Sequence, residues 1–347
     1  MIPETAQPPI KIALMGAGTF ARDAHLPSLL NLGPLFEIVA VYSRTAAAAQ
    51  ALAARIPYAV ETVTGQDALL ARPDVEAVDI VLPIAALPPA ILRSLRAGKH
   101  VLSEKPIAPT VVEGEALLEQ YGQYGATALV WMVGENWRYE EAFLRAAEIV
   151  HSGEIGEPVA CHWAVTTPIM PQNKYFQSAW RRDGSFPGGF LVDGGVHHVA
   201  AMRLILGEIA EVTAQATLHD TGLPPADTLT AALRFENGAL GSYTVTYAAA
   251  APWPPLLHVI GTRGALAVQR REVTITTGGD TRRIECSGFD GVEKELAAFA
   301  AAIRKEAAHR NSPQEALQDL AVMEALLRAA SSGASVKPPR HAPRPAA

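Results

Sequence analysis

The feature that most restricts the fold of this chain is a glycine-rich turn between a short apolar strand and a helix. Residues 11–15 (KIALM) form the predicted strand, and Gly16, Gly18 and Ala21 follow with the spacing G-x-G-x-x-A. The first glycine permits a tight turn, the second lets a pyrophosphate approach the backbone, and the small third residue lets helix and strand pack closely. The helix N-terminus offers N–H donors and positive potential to phosphates. The turn predicts a dinucleotide site, and the alternative is a glycine-rich turn that binds nothing.

Apolar strands alternate with helices over the first part of the chain. We predict strands at residues 11–15, 37–42, 77–82, 100–103 and 127–132, and helices at 19–32, 46–55, 66–71, 87–97 and 110–124. Apolar strands that alternate with helices are typical of a parallel sheet covered on both faces. Residues 8–133 are therefore predicted to form a doubly wound Rossmann domain.

The pattern changes after residue 133, where strands follow one another with few helices. We predict strands at residues 159–166, 211–218, 228–235, 240–247, 258–261, 265–268 and 273–277, and helices at 139–152, 196–206, 291–309 and 313–330. This order is typical of an α+β domain with a large, open, mainly antiparallel sheet. We expect this second domain, for substrate binding and oligomerisation, at residues 134–330. The Pro-, Ser- and Ala-rich residues 331–347 are expected to be a flexible tail.

Composition and charge exclude several classes of function. The chain has 347 residues and a net charge of −6, which argues against binding nucleic acid through a broad basic face. No apolar run reaches the ~20 residues of a membrane span, and the N-terminal residues lack the pattern of a signal peptide. The two cysteines have no partner motif, which argues against a metal or disulfide scaffold and favours a reducing compartment. We expect a cytoplasmic protein without metal, membrane or nucleic-acid partners.

The residues after the second strand bear on the choice of dinucleotide. A site that prefers NAD needs an acidic residue near this point to bind the ribose 2′-hydroxyl. Residues 38–60 contain no Asp or Glu, whereas Ser43 and Arg44 offer a hydroxyl and a guanidinium that suit a 2′-phosphate. NADP is therefore predicted in preference to NAD. The alternative is that Arg44 is a solvated surface arginine.

Lys105 is the first candidate for chemistry. It follows the predicted strand at residues 100–103, and ligands of open α/β sheets bind beyond the carboxyl ends of the strands. A lysine at such a place donates to a hydroxyl or carbonyl oxygen and suits acid–base work. The alternative is an ordinary lysine at the end of a strand.

A second candidate group lies where a glycine-rich segment leads into the predicted helix at residues 196–206. Asp193 and His197 are four residues apart, so they share one side of the helix if it extends back to Asp193. A carboxylate beside an imidazole fixes its tautomer, which suits removal of a proton from an alcohol. The alternatives are an N-cap role for Asp193 and a packed core position for His197. The adjacent His198 is expected to be structural.

Aromatic, basic and amide side chains occur between these two groups. Sugars are bound by stacking faces together with a few polar groups that fix orientation. The candidate substrate-binding residues are Asn136, Arg138, Tyr139, Trp163, Trp180 and Arg181. The alternative is that the tryptophans serve packing or an interface.

Taken together, these segments resemble the Gfo/Idh/MocA oxidoreductases, which include glucose–fructose oxidoreductase and inositol dehydrogenase. The matching segments, in family order, are KIALMGAGTFA, VDIVLP, VLSEKP, ENWRY, SGEIGEP and GGFLVDGGVHHVAAMRLILG. The resemblance implies a Rossmann domain and a second domain whose sheet face often forms dimers or tetramers. It implies that Lys105, Asp193 and His197 are the catalytic set. His197 would accept the proton, and Lys105 would hold the reacting oxygen.

The resemblance also bears on the cofactor and the substrate. Thr19 and Phe20 of the glycine-rich turn, together with Pro83, Glu104 and Lys105, are expected to contact the cofactor, the last three near the nicotinamide. Many members carry an aspartate three residues after the catalytic histidine, where this chain has Ala200. That difference puts inositol-type specificity in doubt, and the segment GGVHHVA resembles an NADP-linked branch of the family.

We therefore expect an NADP(H)-dependent oxidoreductase. It would transfer hydride between the nicotinamide and a hydroxyl or carbonyl carbon of a sugar, polyol or related small molecule. The alternatives are a dinucleotide-binding sensor without turnover and an enzyme with a non-sugar substrate.

Overall fold

The computed structural model of the chain describes residues 7–124, 129–184, 186–252, 254 and 256–342. Two compact units are present. The first unit comprises Met1–Ile107, Glu115–Gly134 and Val292–Pro313, and the second comprises Ala108–Gly114, Glu135–Gly291 and Gln314–Ala347. The predicted domains, residues 8–133 and 134–330, were each continuous, whereas the observed units exchange two segments of chain.

The bounds of the strands and helices are as follows. The strands are β1 (Ile10–Met15), β2 (Phe36–Tyr42), β3 (Glu61–Val63), β4 (Ala77–Ile80), β5 (His100–Glu104), β6 (Trp131–Gly134), β7 (Pro158–Thr166), β8 (Ile209–Thr217), β9 (Thr228–Phe235), β10 (Leu240–Thr246), β11 (Leu257–Gly261), β12 (Gly264–Gln269), β13 (Glu272–Thr277) and β14 (Asp280–Glu285). The helices are α1 (Leu26–Asn31), α2 (Ala46–Ala53), α3 (Gln66–Leu70), α4 (Leu87–Arg96), α5 (Val111–Gly122), α6 (Glu141–His151), α7 (Gly189–Leu206), α8 (Gly291–Ile303) and α9 (Pro313–Ser332).

The first unit contains a parallel sheet with the strand order β3-β2-β1-β4-β5-β6. This order confirms the predicted Rossmann domain. Strand β3 was not predicted, because its three residues are too few to show a pattern. The predicted strand at residues 127–132 corresponds to β6, and residues 127 and 128 lie outside the described residues. Ligands of such sheets bind where the strand order reverses, here beyond the carboxyl ends of β1 and β4.

The helix that follows β1 differs from an uninterrupted α-helix. A π-helical turn at Ala21–His25 precedes α1, and Pro27 lies in the first turn of α1. Proline is tolerated there because its missing N–H has no partner at a helix start. The π-helical turn ends at His25, which is fully buried. The sequence pattern predicted the helix but not this change of winding.

The second unit contains an eight-stranded sheet with the order β14-β13-β12-β11-β7-β10-β9-β8. Strands β7 and β10 pair in parallel, and the other neighbours pair antiparallel. This mainly antiparallel sheet and the β9–β10 hairpin confirm the predicted α+β fold. Strand β14 was not predicted, because its residues are exposed and polar and lack apolar alternation.

Helix α7 begins at Gly189, well before the predicted start at residue 196. The sequence did not predict a helix before residue 196, because the glycines of this segment disfavour helix interiors. The packing explains them: a Cβ on Gly194 would lie 1.9 Å from the Tyr247 hydroxyl, and one on Gly195 would lie 2.4 Å from the Met323 side chain. Close approach of neighbouring side chains therefore requires glycine here. The longer helix includes Asp193.

The described part of the predicted tail, residues 331–342, makes specific hydrogen bonds within the second unit. Val336 exchanges backbone hydrogen bonds with Val212, and the Gln318 side chain bonds the Pro339 carbonyl and the His341 N–H. Specific hydrogen bonds outweigh the polar composition that suggested disorder. Residues 343–347 lie outside the described residues. None of the helices in the described ranges has the length and apolarity to cross a membrane.

Candidate active site

The glycine-rich turn of the first unit has the geometry of a phosphate cradle. Gly16 has a φ of 129°, and a Cβ there would lie 2.1 Å from the Val81 carbonyl oxygen. Around Gly18 a Cβ would meet no described atom within 4 Å, so this side of the turn is open. An open backbone surface at the start of a helix fits a pyrophosphate, so the residues present fit a dinucleotide.

The end of β2 lies next to this turn. The N–H of Gly16 donates to the Tyr42 carbonyl oxygen at 2.9 Å, and Ser43 and Arg44 follow directly. Ser43 is half-buried with its N–H bonded to the Val63 carbonyl oxygen, whereas the Arg44 side chain is exposed. The two residues therefore begin where the second strand meets the phosphate turn, as the prediction of a 2′-phosphate site requires.

At the end of β5 the structure shows a buried cluster that sequence reasoning missed. The Nδ1 of His25 lies 2.8 Å from Asp79 Oδ2, and its Nε2 lies 3.0 Å from Glu104 Oε1. Burial lowers the pKa of His25, but the two carboxylates outweigh it and hold the pKa well above its usual value. Asp79, a lone acid within the apolar segment AVDIVL, was the sequence signal for this cluster.

This cluster gives Glu104 a partner that the sequence pattern did not show. Its buried carboxylate forms an ion pair with His25, and its predicted contact near the nicotinamide stays a prediction. Lys105 follows β5 and is half-buried, and Pro83 is exposed after β4. The positions of both residues beyond the strand ends agree with the prediction, and their contacts with a cofactor stay predictions.

In the second unit, His197 is bonded to a carboxylate, but not to the predicted one. Its Nδ1 lies 2.6 Å from Oε1 of Glu135, which is 1% exposed. The indole of Trp137 stacks on the imidazole, with a centroid distance of 5.3 Å and an interplanar angle of 14°. The side chain of His197 is 18% exposed, and among the described residues none hydrogen-bonds its Nε2. The imidazole is therefore fixed on one edge, and its other nitrogen has no hydrogen-bond partner among the described residues.

Asp193 and His197 both lie on α7, as predicted, but Asp193 does not pair with the imidazole. Its Oδ2 accepts from Nε of Arg181 at 2.7 Å. Arg181 also donates to the Ser178 hydroxyl and stacks on Trp180, with its guanidinium carbon 4.0 Å from the ring centroid. The predicted pairing is wrong because the guanidinium of Arg181, in the 3-10 turn before α7, forms an ion pair with the Asp193 carboxylate. The same contacts bring Trp180 and Arg181 to the start of α7.

Three predicted substrate-binding residues belong to the interior of the second unit. Nη2 of Arg138 donates to both oxygens of the buried Asp319, at 2.8 and 2.7 Å. Tyr139 is buried, and Trp163 is buried against Trp137 at a centroid distance of 6.1 Å. The structure shows packing and ion pairing at these three positions, and their predicted contacts with substrate stay predictions.

The two remaining polar positions near His197 can also be placed. Asn136 is half-buried in the 3-10 turn Asn136–Tyr139, and its predicted contact with substrate stays a prediction. His198 is buried with its Nδ1 2.7 Å from the Tyr243 hydroxyl, which agrees with the structural role expected of it. Within the described ranges no cluster of three or more His, Cys, Asp or Glu side chains is arranged to hold a metal ion.

Comparison with known proteins decides the family. Residues 10–131 match the family described as oxidoreductase family, NAD-binding Rossmann fold, and residues 143–267 match the GFO/IDH/MocA C-terminal domain. The chain belongs to the Gfo/Idh/MocA oxidoreductases. This is a family of NAD(P)-dependent dehydrogenases and reductases, so the expectation of an enzyme with a nicotinamide dinucleotide is confirmed.

Individual relatives extend over nearly the whole chain. A protein of Fusarium mangiferae called dehydrogenase FPY6 is 35% identical, covering 94% of this chain and 98% of its own. A dTDP-3,4-didehydro-2,6-dideoxy-alpha-D-glucose 3-reductase of Streptomyces violaceoruber is 29% identical over 85% of this chain and 86% of its own. The crystal structure of an oxidoreductase from Thermotoga maritima has a TM-score of 0.88 and 35% identity, covering 95% of this chain and 98% of that one.

Proposed function

We propose that this protein is an NADP(H)-dependent oxidoreductase that acts on a hydroxyl or carbonyl carbon of a sugar, polyol or related small molecule. Lys105, Asp193 and His197 are the proposed catalytic set. The observation that carries the proposal is the state of His197. One ring nitrogen is held by a buried carboxylate, and no described residue hydrogen-bonds the other.

The side chains divide the work of the reaction. When bound, the nicotinamide dinucleotide supplies hydride transfer. His197 takes the proton of the substrate hydroxyl during oxidation and returns it during reduction. Lys105 donates a hydrogen bond to the reacting oxygen and stabilises the negative charge that develops there. Asp193, paired with Arg181, binds a neighbouring hydroxyl of the substrate and orients it.

Ser43 and Arg44 support a preference for NADP. Both follow the strand that bonds the phosphate turn, and the exposed guanidinium of Arg44 suits a 2′-phosphate. The test is a fluorescence titration of the purified protein with NADPH and NADH. We expect tighter binding of NADPH, and we expect an Arg44→Ala variant to lose that preference while it still binds NADH. Equal affinities in the unaltered protein would contradict the preference for NADP.

The sugar-like substrate class is supported by the name of the Streptomyces relative, a reductase of a nucleotide-linked keto-sugar. Each dinucleotide complex should be offered a panel of free sugars, polyols and nucleotide sugars. Turnover of one class identifies the substrate. Tight NADPH binding without turnover on any class would favour the alternative, a dinucleotide sensor. The intact set of Lys105, Asp193 and His197 argues against a sensor, which has no need of it.

The resemblance also leads us to propose a cytoplasmic homodimer or homotetramer. Small and hydroxyl-bearing side chains on one face of the eight-stranded sheet support this proposal, among them Ala164, Ser242 and Thr244. Light scattering of the purified protein measures the oligomeric state. A monomeric mass at micromolar concentration would contradict the oligomer.

A further inference from the structure

The carboxylate that binds His197 belongs to Glu135, directly before the 3-10 turn Asn136–Tyr139, and not to Asp193 as the sequence pattern predicted. Glu135 lies between β6 and this turn and caps it, because Oε1 accepts from the Trp137 N–H at 3.2 Å. The same oxygen lies 2.6 Å from Nδ1 of His197. One carboxylate oxygen therefore both fixes the turn and binds the imidazole.

The neighbours of Glu135 hold the turn and the ring in place. Trp137, whose N–H is bonded to Glu135, stacks face to face on His197. Arg138 anchors the turn to α9 through two hydrogen bonds from its Nη2 to Asp319. The imidazole is thus constrained in its plane by the carboxylate and above its plane by the indole. A side chain held in this way keeps one geometry between catalytic cycles.

The chemistry of the contact determines where the ring carries its proton. A carboxylate oxygen accepts hydrogen bonds and does not donate them, so the hydrogen of a neutral His197 must lie on Nδ1. Its lone pair then lies on Nε2, to which no described residue donates a hydrogen bond. Asp193 does not compete for the ring, because its carboxylate is bonded to Arg181.

We infer that Glu135 is the positioning residue of His197: it holds the Nδ1–H tautomer and so makes Nε2 the nitrogen that accepts the proton. This inference rests on the proposed function for the identity of the proton donor, a substrate hydroxyl. The assignment of the tautomer to Glu135 does not depend on it. A carboxylate on Nδ1–H is a known means of holding a catalytic imidazole in the correct tautomer.

The tautomer can be read without any turnover. Full-length protein labelled with ¹⁵N-histidine gives long-range proton–nitrogen spectra that distinguish the two ring nitrogens, and a His197→Gln variant identifies the signal. In the unaltered protein, at a pH at which the ring is neutral, we expect a protonated Nδ1 and an unprotonated Nε2. The opposite pattern would overturn the inference without recourse to any Glu135 variant.

Three variants then assign the effect to a residue. Glu135→Leu removes the acceptor, so we expect the ring to move toward the Nε2–H form that predominates in free histidine. Glu135→Gln keeps an acceptor oxygen and should retain the Nδ1–H form. Asp193→Asn is the matched control, because it removes the carboxylate on the same helix that does not touch the ring, and the tautomer should stay unchanged. A tautomer that follows Asp193 rather than Glu135 would overturn the inference.

Kinetics complete the test and separate the two proposals. We expect Glu135→Leu to lower kcat by roughly 10²-fold, within the range of general-base catalysis, while the Kd for NADPH stays the same. Glu135→Gln should restore most of the rate. A change of tautomer in a protein that turns over no substrate supports the Glu135–His197 pairing and counts against the proposed function. An unchanged tautomer in Glu135→Leu overturns the pairing, whatever the rate.

Discussion

Each unit of the molecule contains a histidine bonded to carboxylate, and the two differ in the state of the second ring nitrogen. His25 in the first unit is fully buried, with one nitrogen 2.8 Å from Asp79 and the other 3.0 Å from Glu104. His197 in the second unit is bonded to Glu135 by Nδ1, and its side chain is 18% exposed. A neighbouring carboxylate therefore does not by itself mark a catalytic histidine. The feature that distinguishes His197 as a candidate is its second ring nitrogen, which no described residue hydrogen-bonds.

The two arrangements suit different tasks. His25 connects the helix after the phosphate turn with β4 and β5, and its ring also contacts Phe20 of that turn edge to face at 5.1 Å. Both ring nitrogens of His25 are bonded to carboxylates inside the first unit. We therefore expect His25 to affect the stability of that unit rather than to exchange a proton with a ligand. His197 is held by one edge, and the proposed function gives its other nitrogen the exchange of a proton with substrate. Variants at the two histidines and at Asp193 test this division.

Replacing His197 should remove catalysis and leave the fold intact. We expect His197→Ala to lower kcat on a true substrate by about 10²–10⁴-fold, the usual contribution of a general base. The affinity for NADPH should change less than twofold. His151→Ala, at an exposed histidine in the last turn of α6, is the control and should keep the full rate. Near-normal turnover in His197→Ala would show that another group accepts the proton.

Replacing His25 should have the opposite profile. His25→Ala leaves Asp79 and Glu104 buried without their cation, and breaking a buried pair in this way costs about 3–5 kcal/mol. Urea unfolding followed by circular dichroism measures the loss. His197→Ala should cost less in the same assay, because it leaves one buried carboxylate without its imidazole where His25→Ala leaves two, and Glu135 keeps the hydrogen bond from the Trp137 N–H. Equal losses in the two variants would remove the distinction.

The pH dependence of stability should also separate the two histidines. The pKa of His25 is raised well above its usual value, so above the unfolded pKa of about 6.5 the folded state keeps a proton that the unfolded state has released. The free energy of unfolding should therefore fall as the pH rises from 6.5 toward the native pKa, by at most about 1.4 kcal/mol per pH unit. Below pH 6.5 this contribution is complete and constant.

A His25→Gln variant provides the comparison, since it lacks the titrating group. The difference in unfolding free energy between the unaltered protein and this variant should shrink between pH 6.5 and 8.5. A difference that stays constant over that range would mean that His25 does not carry the extra proton.

The smallest effect is expected at Asp193. Its carboxylate is bonded to Arg181 and not to the catalytic imidazole, so Asp193→Asn should raise KM by about tenfold, the cost of one hydrogen bond to a charged group. The value of kcat should change little. Steady-state kinetics on the identified substrate measure both constants. A loss of kcat as large as that of His197→Ala would contradict the assignment of Asp193 to substrate binding alone.

Much of the fold could be predicted because the deciding patterns are local. The glycines at Gly16 and Gly18 and the apolar runs of β1, β2 and β4 follow one another within a few residues, and they indicated the parallel sheet. Strand β9 has the predicted bounds, since its apolar and polar residues alternate along its length. Catalytic candidates on α7 were also found, because the spacing of Asp193 and His197 is helical.

The sequence did not predict which distant residues pair with the histidines and with Arg138. His25 is 54 residues from Asp79 and 79 from Glu104, His197 is 62 from Glu135, and Arg138 is 181 from Asp319. No periodicity connects residues so far apart. The composition of ENWRY indicated a binding segment, but burial shows that Arg138 and Tyr139 serve the interior while Glu135 serves the imidazole.

The sequence alone was enough to predict the two types of sheet, the glycine-rich turn and a candidate histidine base. Periodicity and glycine spacing act through contacts between near neighbours in the chain, so a linear reading reveals them. The packed structure was needed to show which carboxylate each histidine binds, and how far α7 extends through its glycines. These outcomes depend on which distant side chains fill the space beside a residue, and that is settled when the chain packs.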